Sequence, residues 1–123
     1  MKRLWILLLT LPVLSCNPPQ RNCELFRDGT FTFTATVDGQ EVTTTFTRRD
    51  SLETSTYNGQ TDSARVRWIN DCEYILTDLN PDSRAEARPI HMKILSTTEN
   101  SYTFEYKLVG TSQASRGTAY KAQ

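Results

Sequence analysis

The sequence has no excess charge of either sign, and it lacks most of the chemistry on which enzymes depend. Its 123 residues carry 14 basic and 14 acidic side chains and a single histidine. Balanced charge argues against the basic surface of a nucleic-acid-binding domain. His91 leaves few ways to build a nucleophile–base site, and carboxylates such as Glu73 and Asp78 are more typical of solvating surface charges. We therefore expect no enzyme, no cofactor and no nucleic-acid partner.

Long hydrophobic runs are also missing. The longest, residues 4–14, is interrupted by Thr10 and rises only about 16 Å as a helix, short of the ~30 Å hydrocarbon core of a membrane. It follows Lys2 and Arg3, and a basic start before a short apolar run is typical of a secretory signal peptide. We expect residues 1–15 to be that peptide, with a buried N-terminal helix as the alternative.

The run ends in Val13-Leu14-Ser15-Cys16, which resembles the lipobox of bacterial lipoproteins, although Leu14 is larger than the usual occupant. The resemblance implies that diacylglycerol is attached to Cys16, that the chain is cut before it, and that the new amino end is acylated, for example by palmitate. Several acyl chains anchor a protein stably, whereas one holds it weakly. The resemblance therefore implies a protein bound to a membrane through Cys16.

Residues 16–22 are the predicted lipidated tether, and two prolines stiffen it. In many Gram-negative lipoproteins an aspartate after the lipidated cysteine marks retention at the inner membrane, but Asn17 occupies that place. The expected location is therefore the cell envelope, on the outer membrane facing the periplasm. Without residues 1–15 the chain keeps 12 basic and 14 acidic side chains, a formal charge of −2.

Cysteines are few, and their number has a simple interpretation. With Cys16 assigned to lipid, the three cysteines leave Cys23 and Cys72 as a pair in an oxidising compartment. A bridge between them closes a loop of about 50 residues and stabilises the fold by about 4 kcal/mol. Two free buried thiols are the alternative, while a metal site needs more ligands than two cysteines and a distant histidine. We expect the disulfide.

From Cys23 onward, apolar residues alternate with polar ones, and turn signals recur every eight to twelve residues, which is typical of strands. Eight strands are expected and no convincing helix. The third is Leu52–Tyr57 and the last contains Thr118 and Tyr120. The predicted inward residues of the other six are Phe31, Phe33, Ala35 and Val37; Val42, Thr44 and Phe46; Ala64, Val66 and Trp68; Cys72, Tyr74 and Leu76; Ile90, Met92 and Ile94; and Tyr102, Phe104, Tyr106 and Leu108.

The connections between these strands are short. Asp38-Gly39 is a two-residue hairpin signal, residues 48–50 break the second strand, and residues 77–89 form a polar, proline-containing loop. Consecutive strands joined in this way predict an all-β, antiparallel meander in residues 23–123. Closure into a barrel removes the edges of such a sheet, so we expect a barrel, with a partly open curved sheet or a two-layer sandwich as alternatives.

Two stretches, CELFRDGTFTF and RVRWINDCEYIL, resemble a group of small cell-envelope lipoproteins from Gram-negative bacteria over most of the mature domain. The shared features are a cysteine before a Gly-Thr-Phe strand, an Arg-Asp-Ser stretch, and Trp-x-x-x-Cys-Glu-Tyr. The Gly-Thr-Phe stretch is also similar to the first strand of lipocalin-like barrels, where Gly-x-Trp is usual. The shared features lie at Cys23, residues 29–31, residues 49–51, Trp68 and residues 72–74.

The lipocalin resemblance implies an eight-stranded cup for a small apolar ligand, and neither resemblance implies a catalytic residue. A barrel of this size is often filled by its own side chains, so core filling is the favoured role of the inner aromatic residues and a pocket is the alternative. We expect a module that binds a partner protein in the cell envelope, or else a carrier of a small apolar ligand. The candidate pocket residues are Phe31, Phe33, Phe46, Trp68, Tyr74, Tyr102, Phe104 and Tyr106.

Overall fold

Eight antiparallel strands close into a barrel in the computed structural model, which describes residues 21–57 and 59–122. Each strand pairs with the next, and β8 pairs with β1. The predicted all-β meander is confirmed, and it takes the form of a closed, lipocalin-like barrel. A short 3₁₀ helix, Cys23–Phe26, precedes the strands β1 Gly29–Val37, β2 Gln40–Arg49, β3 Leu52–Tyr57, β4 Gln60–Asn70, β5 Glu73–Asp78, β6 Ile90–Thr97, β7 Ser101–Leu108 and β8 Ser115–Lys121.

Several predictions fall on residues outside the described part of the chain. The signal peptide, the lipidation site Cys16 and most of the tether lie there, as does the side chain of Val37. Within the described ranges, no helix is long and apolar enough to span a membrane.

The first two turns are hairpin turns with a left-handed backbone. Asp38 and Gly39 have φ values of 50° and 78° and join β1 to β2 as their sequence predicts. The break predicted at residues 48–50 is wrong, because β2 continues through Arg49. The chain turns instead at Asp50 and Ser51, whose φ values are 51° and 65°. The two extra strand residues place Arg48 inside the barrel.

Two further details differ from the sequence pattern. Cys72 lies in the turn between β4 and β5 rather than on a strand. In β8 the residue that is buried is Ala119, while Tyr120 is 55% exposed. The preceding inward residue of this strand, Gly117, has to be small, because a Cβ atom there would lie 2.4 Å from the Phe33 ring.

Threonines cover the outer face of the first two strands. Thr30 and Thr47 pair across the strands at 3.1 Å between their hydroxyl oxygens, and Thr34 and Thr43 pair at 2.9 Å. Such cross-strand pairs and the high strand propensity of threonine stabilise the hairpin. The run of threonines in β2 therefore has a structural cause.

The two ends of the barrel differ. At one end, hereafter the closed end, the 3₁₀ helix lies under the β2–β3, β4–β5 and β6–β7 turns. The predicted disulfide is present: Cys23 in the helix is bonded to Cys72 in the β4–β5 turn, with their Cα atoms 5.3 Å apart. The opposite, open end carries the hairpin turn after β1, the loop 79–89 and the loop 109–114. The chain enters the barrel at the closed end.

Candidate ligand cavity

The interior is solid in its closed half and hollow in its open half. A cavity of about 270 Å³ occupies the open half. Of the eight predicted pocket residues, Phe31 and Trp68 do not line it; Phe31 is fully buried below, and Trp68 packs on Tyr74 with ring centroids 4.5 Å apart. The lining comprises the predicted Phe33, Phe46, Tyr74, Tyr102, Phe104 and Tyr106, together with Thr44, Glu53, Ser55, Leu76, Ile90 and Met92.

A buried arginine separates the two halves. The Arg48 side chain is 1% exposed and lies on the inner face of β2, two residues after Phe46. Its Nη1 donates to Oε1 of Glu53 at 2.9 Å and to the hydroxyl of Tyr74 at 3.0 Å. The hydroxyl of Tyr102 is 3.5 Å from both terminal nitrogens. The guanidinium also lies 4.9 Å from the ring centroids of two aromatic residues, an attractive cation–π distance.

The same arginine fastens the 3₁₀ helix. Its Nε donates to the carbonyl oxygen of Arg27 at 2.9 Å, and its Nη2 donates to that of Phe26. Lys121 of β8 donates to the carbonyl oxygen of Leu25 at 2.7 Å. Carbonyl groups at the end of a helix lack partners within the helix, so these two cations satisfy three successive acceptors. The closed end is therefore sealed by hydrogen bonds as well as by the disulfide.

The buried groups have perturbed pKa values. Burial raises the pKa of Glu53, and the adjacent guanidinium partly offsets that rise. Burial likewise raises the pKa of Tyr74 and of Tyr102, so both phenols stay protonated at neutral pH. Burial by itself would lower the pKa of Arg48, but the two phenols and the carboxylate around it give a net rise. The arginine is permanently charged, and among the described residues Glu53 is the one carboxylate bonded to it.

Glu53 also faces the hollow part of the barrel. Its Oε1 accepts from Arg48, while Oε2 accepts no hydrogen bond from the described residues. Glu53 and Ser55 line both the 270 Å³ cavity and a second space of about 470 Å³ beneath the loop 79–89. Because the two spaces share lining residues, they adjoin. An oxygen atom of Glu53 is thus available to a polar group that enters the barrel.

The three candidate acid–base residues do not form one site, because Glu73 and His91 lie on the outer face of the barrel and Asp78 lies on the inner face. His91 Nε2 is 3.0 Å from Oε1 of Glu73 on the outer face of the barrel. A hydrogen bond from Asn70, together with the nearby His91, lowers the pKa of Glu73. Asp78 points to the inner face of the same strand. The described residues contain no cluster of three metal-ligating side chains.

Arg65 and Arg67, which flank Trp68 in the sequence, are exposed on the outer face as the alternation predicts. The arginine that stacks on Trp68 is instead Arg27, whose guanidinium lies 4.8 Å from the ring centroid. Arg27 also pairs with Asp71 at 3.3 Å, again linking the 3₁₀ helix to the β4–β5 turn. Trp68 therefore belongs to the closed end.

The sequence interpretation missed Arg48 and Glu53. A signal for both was present, since Arg48 continues the inward series of Thr44 and Phe46. The residue paired with it across the β2–β3 turn is Glu53. A polar cavity floor beneath aromatic walls suits the binding of a small molecule. No protein-family model, curated protein or solved structure matches the chain.

Proposed function

We propose that this protein is a lipid-anchored, non-enzymatic carrier that holds a small, mainly apolar ligand inside its barrel. The observation that supports the proposal is the cavity of about 270 Å³ in the open half, walled by Phe33, Phe46, Phe104 and Tyr106. A barrel with a filled interior offers no room for a ligand. Apolar walls with a few polar groups at one end are the usual composition of a ligand site.

The size of the cavity indicates the size of the ligand. An apolar cavity of about 150 Å³ holds one benzene molecule, so 270 Å³ accommodates on the order of ten non-hydrogen atoms. The adjoining 470 Å³ space accepts a further, more polar portion. A medium-length alkyl chain or a substituted ring fits this combination.

The anchor and the mouth of the barrel lie at opposite ends. Lipidation at Cys16 attaches the chain to a membrane, for which the proposed site is the periplasmic leaflet of the outer membrane. Residues 16–22 reach at most about 25 Å before the chain enters the closed end at Cys23. The open end then points away from the anchor, so that a ligand enters from the periplasm.

The carrier role is tested by filling the cavity. Ser55 lines the cavity, and its hydroxyl makes no hydrogen bond to the described residues, so Ser55→Phe occupies the cavity without breaking one. Thr54→Phe places the same ring on the outer face of the same strand and serves as the control. Full-length protein in lipid nanodiscs is dialysed against decan-1-ol, and the amount bound by empty nanodiscs is subtracted.

We expect saturable, stoichiometric binding by the wild type and Thr54→Phe, and at least a tenfold loss for Ser55→Phe. Equal binding by the two variants, or no saturable binding by the wild type, would contradict the carrier role.

A second candidate function is the binding of a partner protein in the cell envelope. Four large apolar side chains at the open end are 37–46% exposed and are therefore accessible to a partner protein. A photo-crosslinking residue at Val109 should then capture one defined envelope protein in intact cells. The same residue at the exposed Ile69, at the closed end, should not; equal capture at both positions would contradict this role. The four are Tyr57, Leu79, Leu108 and Val109.

A further inference from the structure

The space beneath the loop 79–89 is strongly acidic. Asp62 and Asp78 point into it from neighbouring strands, because Ala64 pairs with Asp78 and Asp62 lies two residues earlier on the same face. Asp82 and Glu86 line it from the loop. With Glu53 at its inner limit, five carboxyl groups surround a space that already adjoins the apolar cavity.

Few cations oppose these carboxyl groups. Arg88 is the one basic residue among the described residues lining the space, and its Nη2 donates to the carbonyl oxygen of Val109 at 3.3 Å. Arg48, the cation of the barrel interior, is occupied by Glu53, two phenols and two carbonyl groups. It does not line either space. Among the described residues that line the space, Arg88 is thus the one cation against five carboxyl groups, and the lining has a net negative charge.

An amphiphile with an anionic head is disfavoured in both orientations. With its head inward, a carboxylate would leave water for a cavity whose one charged lining residue in the described part of the chain is Glu53, already paired with Arg48. With its head outward, it would lie among Asp62, Asp78 and their acidic neighbours in the loop, where like charges repel. A cationic head in the outer position meets opposite charge.

We infer that the ligand of this barrel is a cationic amphiphile, in which an amine or ammonium group occupies the acidic space and an alkyl chain or ring fills the aromatic cavity. The inference rests on the proposed carrier function and specifies its ligand class. The alkyl part has on the order of ten non-hydrogen atoms, as the cavity volume requires. The N–H groups of a primary amine also suit Oε2 of Glu53, which lacks a donor among the described residues.

Three amphiphiles that share one alkyl chain test the inference. Full-length protein in zwitterionic nanodiscs is dialysed separately against decylamine, decan-1-ol and decanoate at pH 7.5, and binding to empty nanodiscs is subtracted. One pair of opposite unit charges about 4 Å apart in water changes affinity by roughly fivefold. Because several carboxylates attract the amine and repel the carboxylate, we expect decylamine to bind at least tenfold more tightly than decanoate.

A charge-neutralising variant identifies where the preference arises. Asp62→Asn/Asp78→Asn removes two carboxylates from the space, and asparagine keeps the oxygen that accepts from Asn80 at position 78. The control, Glu24→Gln/Glu99→Gln, makes the same change of net charge on exposed residues at the closed end. We expect the first variant to reduce the preference for decylamine over decanoate by fivefold or more, without changing decan-1-ol binding. The control should retain the wild-type preference.

The outcomes separate this inference from the carrier role. Tight decan-1-ol binding with equal binding of amine and carboxylate overturns the cationic preference and leaves the carrier role standing. A preference that is equally reduced in both double variants reflects net charge and also overturns the inference. Absence of saturable binding for all three amphiphiles overturns the carrier role and the inference together.

Discussion

Replacing Arg48 by methionine is the most demanding test of this fold. Methionine approximates the length of the arginine stem but removes the guanidinium. Glu53, itself 8% exposed, then becomes a buried carboxylate without its partner, and the carbonyl groups of Phe26 and Arg27 lose their donors. The change therefore affects the polar floor of the cavity and the attachment of the 3₁₀ helix at once.

The expected cost follows from those losses. Removing one partner of a buried ion pair costs about 3–5 kcal/mol, against a total stability of about 5–15 kcal/mol for a domain. For a domain of about 100 residues each kcal/mol lowers the melting temperature by roughly 4–8 °C. We expect the melting temperature of Arg48→Met to fall by more than about 10 °C. A solvent-exposed pair would cost about 1 kcal/mol at most.

The assay is thermal unfolding of the purified protein followed by circular dichroism in the strand region. Arg49→Met is the matched control, because Arg49 is the next residue of β2 and is exposed; we expect its effect to stay within about 0.5 kcal/mol. The double variant Arg48→Met/Glu53→Leu removes both buried charges and should regain part of the loss. Equal stability of Arg48→Met and Arg49→Met would refute the assignment of Arg48 as the centre of the closed half.

Three further results are expected. Burial raises the pKa of Glu53 above 4.5. The stability contributed by its protonated form is therefore complete below pH 4.5 and is lost as the pH rises through the folded-state pKa. The stability of the wild type relative to Glu53→Gln should fall between about pH 4 and pH 8, and a rise would contradict the shift. Cys23→Ala/Cys72→Ala opens a loop with a sequence separation of 49 and should cost about 4 kcal/mol in denaturant unfolding, whereas an unchanged midpoint would show that the disulfide does not stabilise the fold. Cys16→Ala should move the protein from the membrane fraction to the soluble fraction of the cell, and an unchanged distribution would exclude lipid anchoring.

The binding and folding roles of the interior are divided by position along the barrel. Arg48 and the disulfide hold the closed half, while Phe33, Phe104 and Tyr106 surround open space in the other half. This division explains why filling the cavity at Ser55 is expected to weaken binding at least tenfold without loss of folding. For the same reason we expect the fluorescence of Trp68, which packs in the closed half and does not line the cavity, to change little when a ligand binds.

The strands were predictable because their information is local. A strand with one buried face alternates its apolar residues along the chain, and Asp38-Gly39 is among the few dipeptides that tolerate two successive left-handed residues. The pairing of Cys23 with Cys72 was predictable by counting, once Cys16 was assigned elsewhere. These features do not depend on which parts of the chain meet in space.

The cavity floor was not predictable by the same means. Arg48 was interpreted as a strand breaker, because an arginine beside a second arginine and an aspartate is most often exposed. Its burial becomes favourable only where Glu53, Tyr74 and the carbonyl groups of the 3₁₀ helix converge on it. The helix itself is a single turn without periodicity, so no sequence pattern indicated that it would close the barrel.

The sequence by itself determined the number of strands, their order and the inward face of most of them, because alternation and turn chemistry act between neighbouring residues. Only the tertiary structure decided which inner aromatic residues fill the core and which surround a cavity. The reason is that packing depends on volumes contributed by strands distant in sequence. At the closed end the aromatic residues pack against Phe26 and Arg48. At the other end, no side chain among the described residues fills the space between Phe33 and Tyr106.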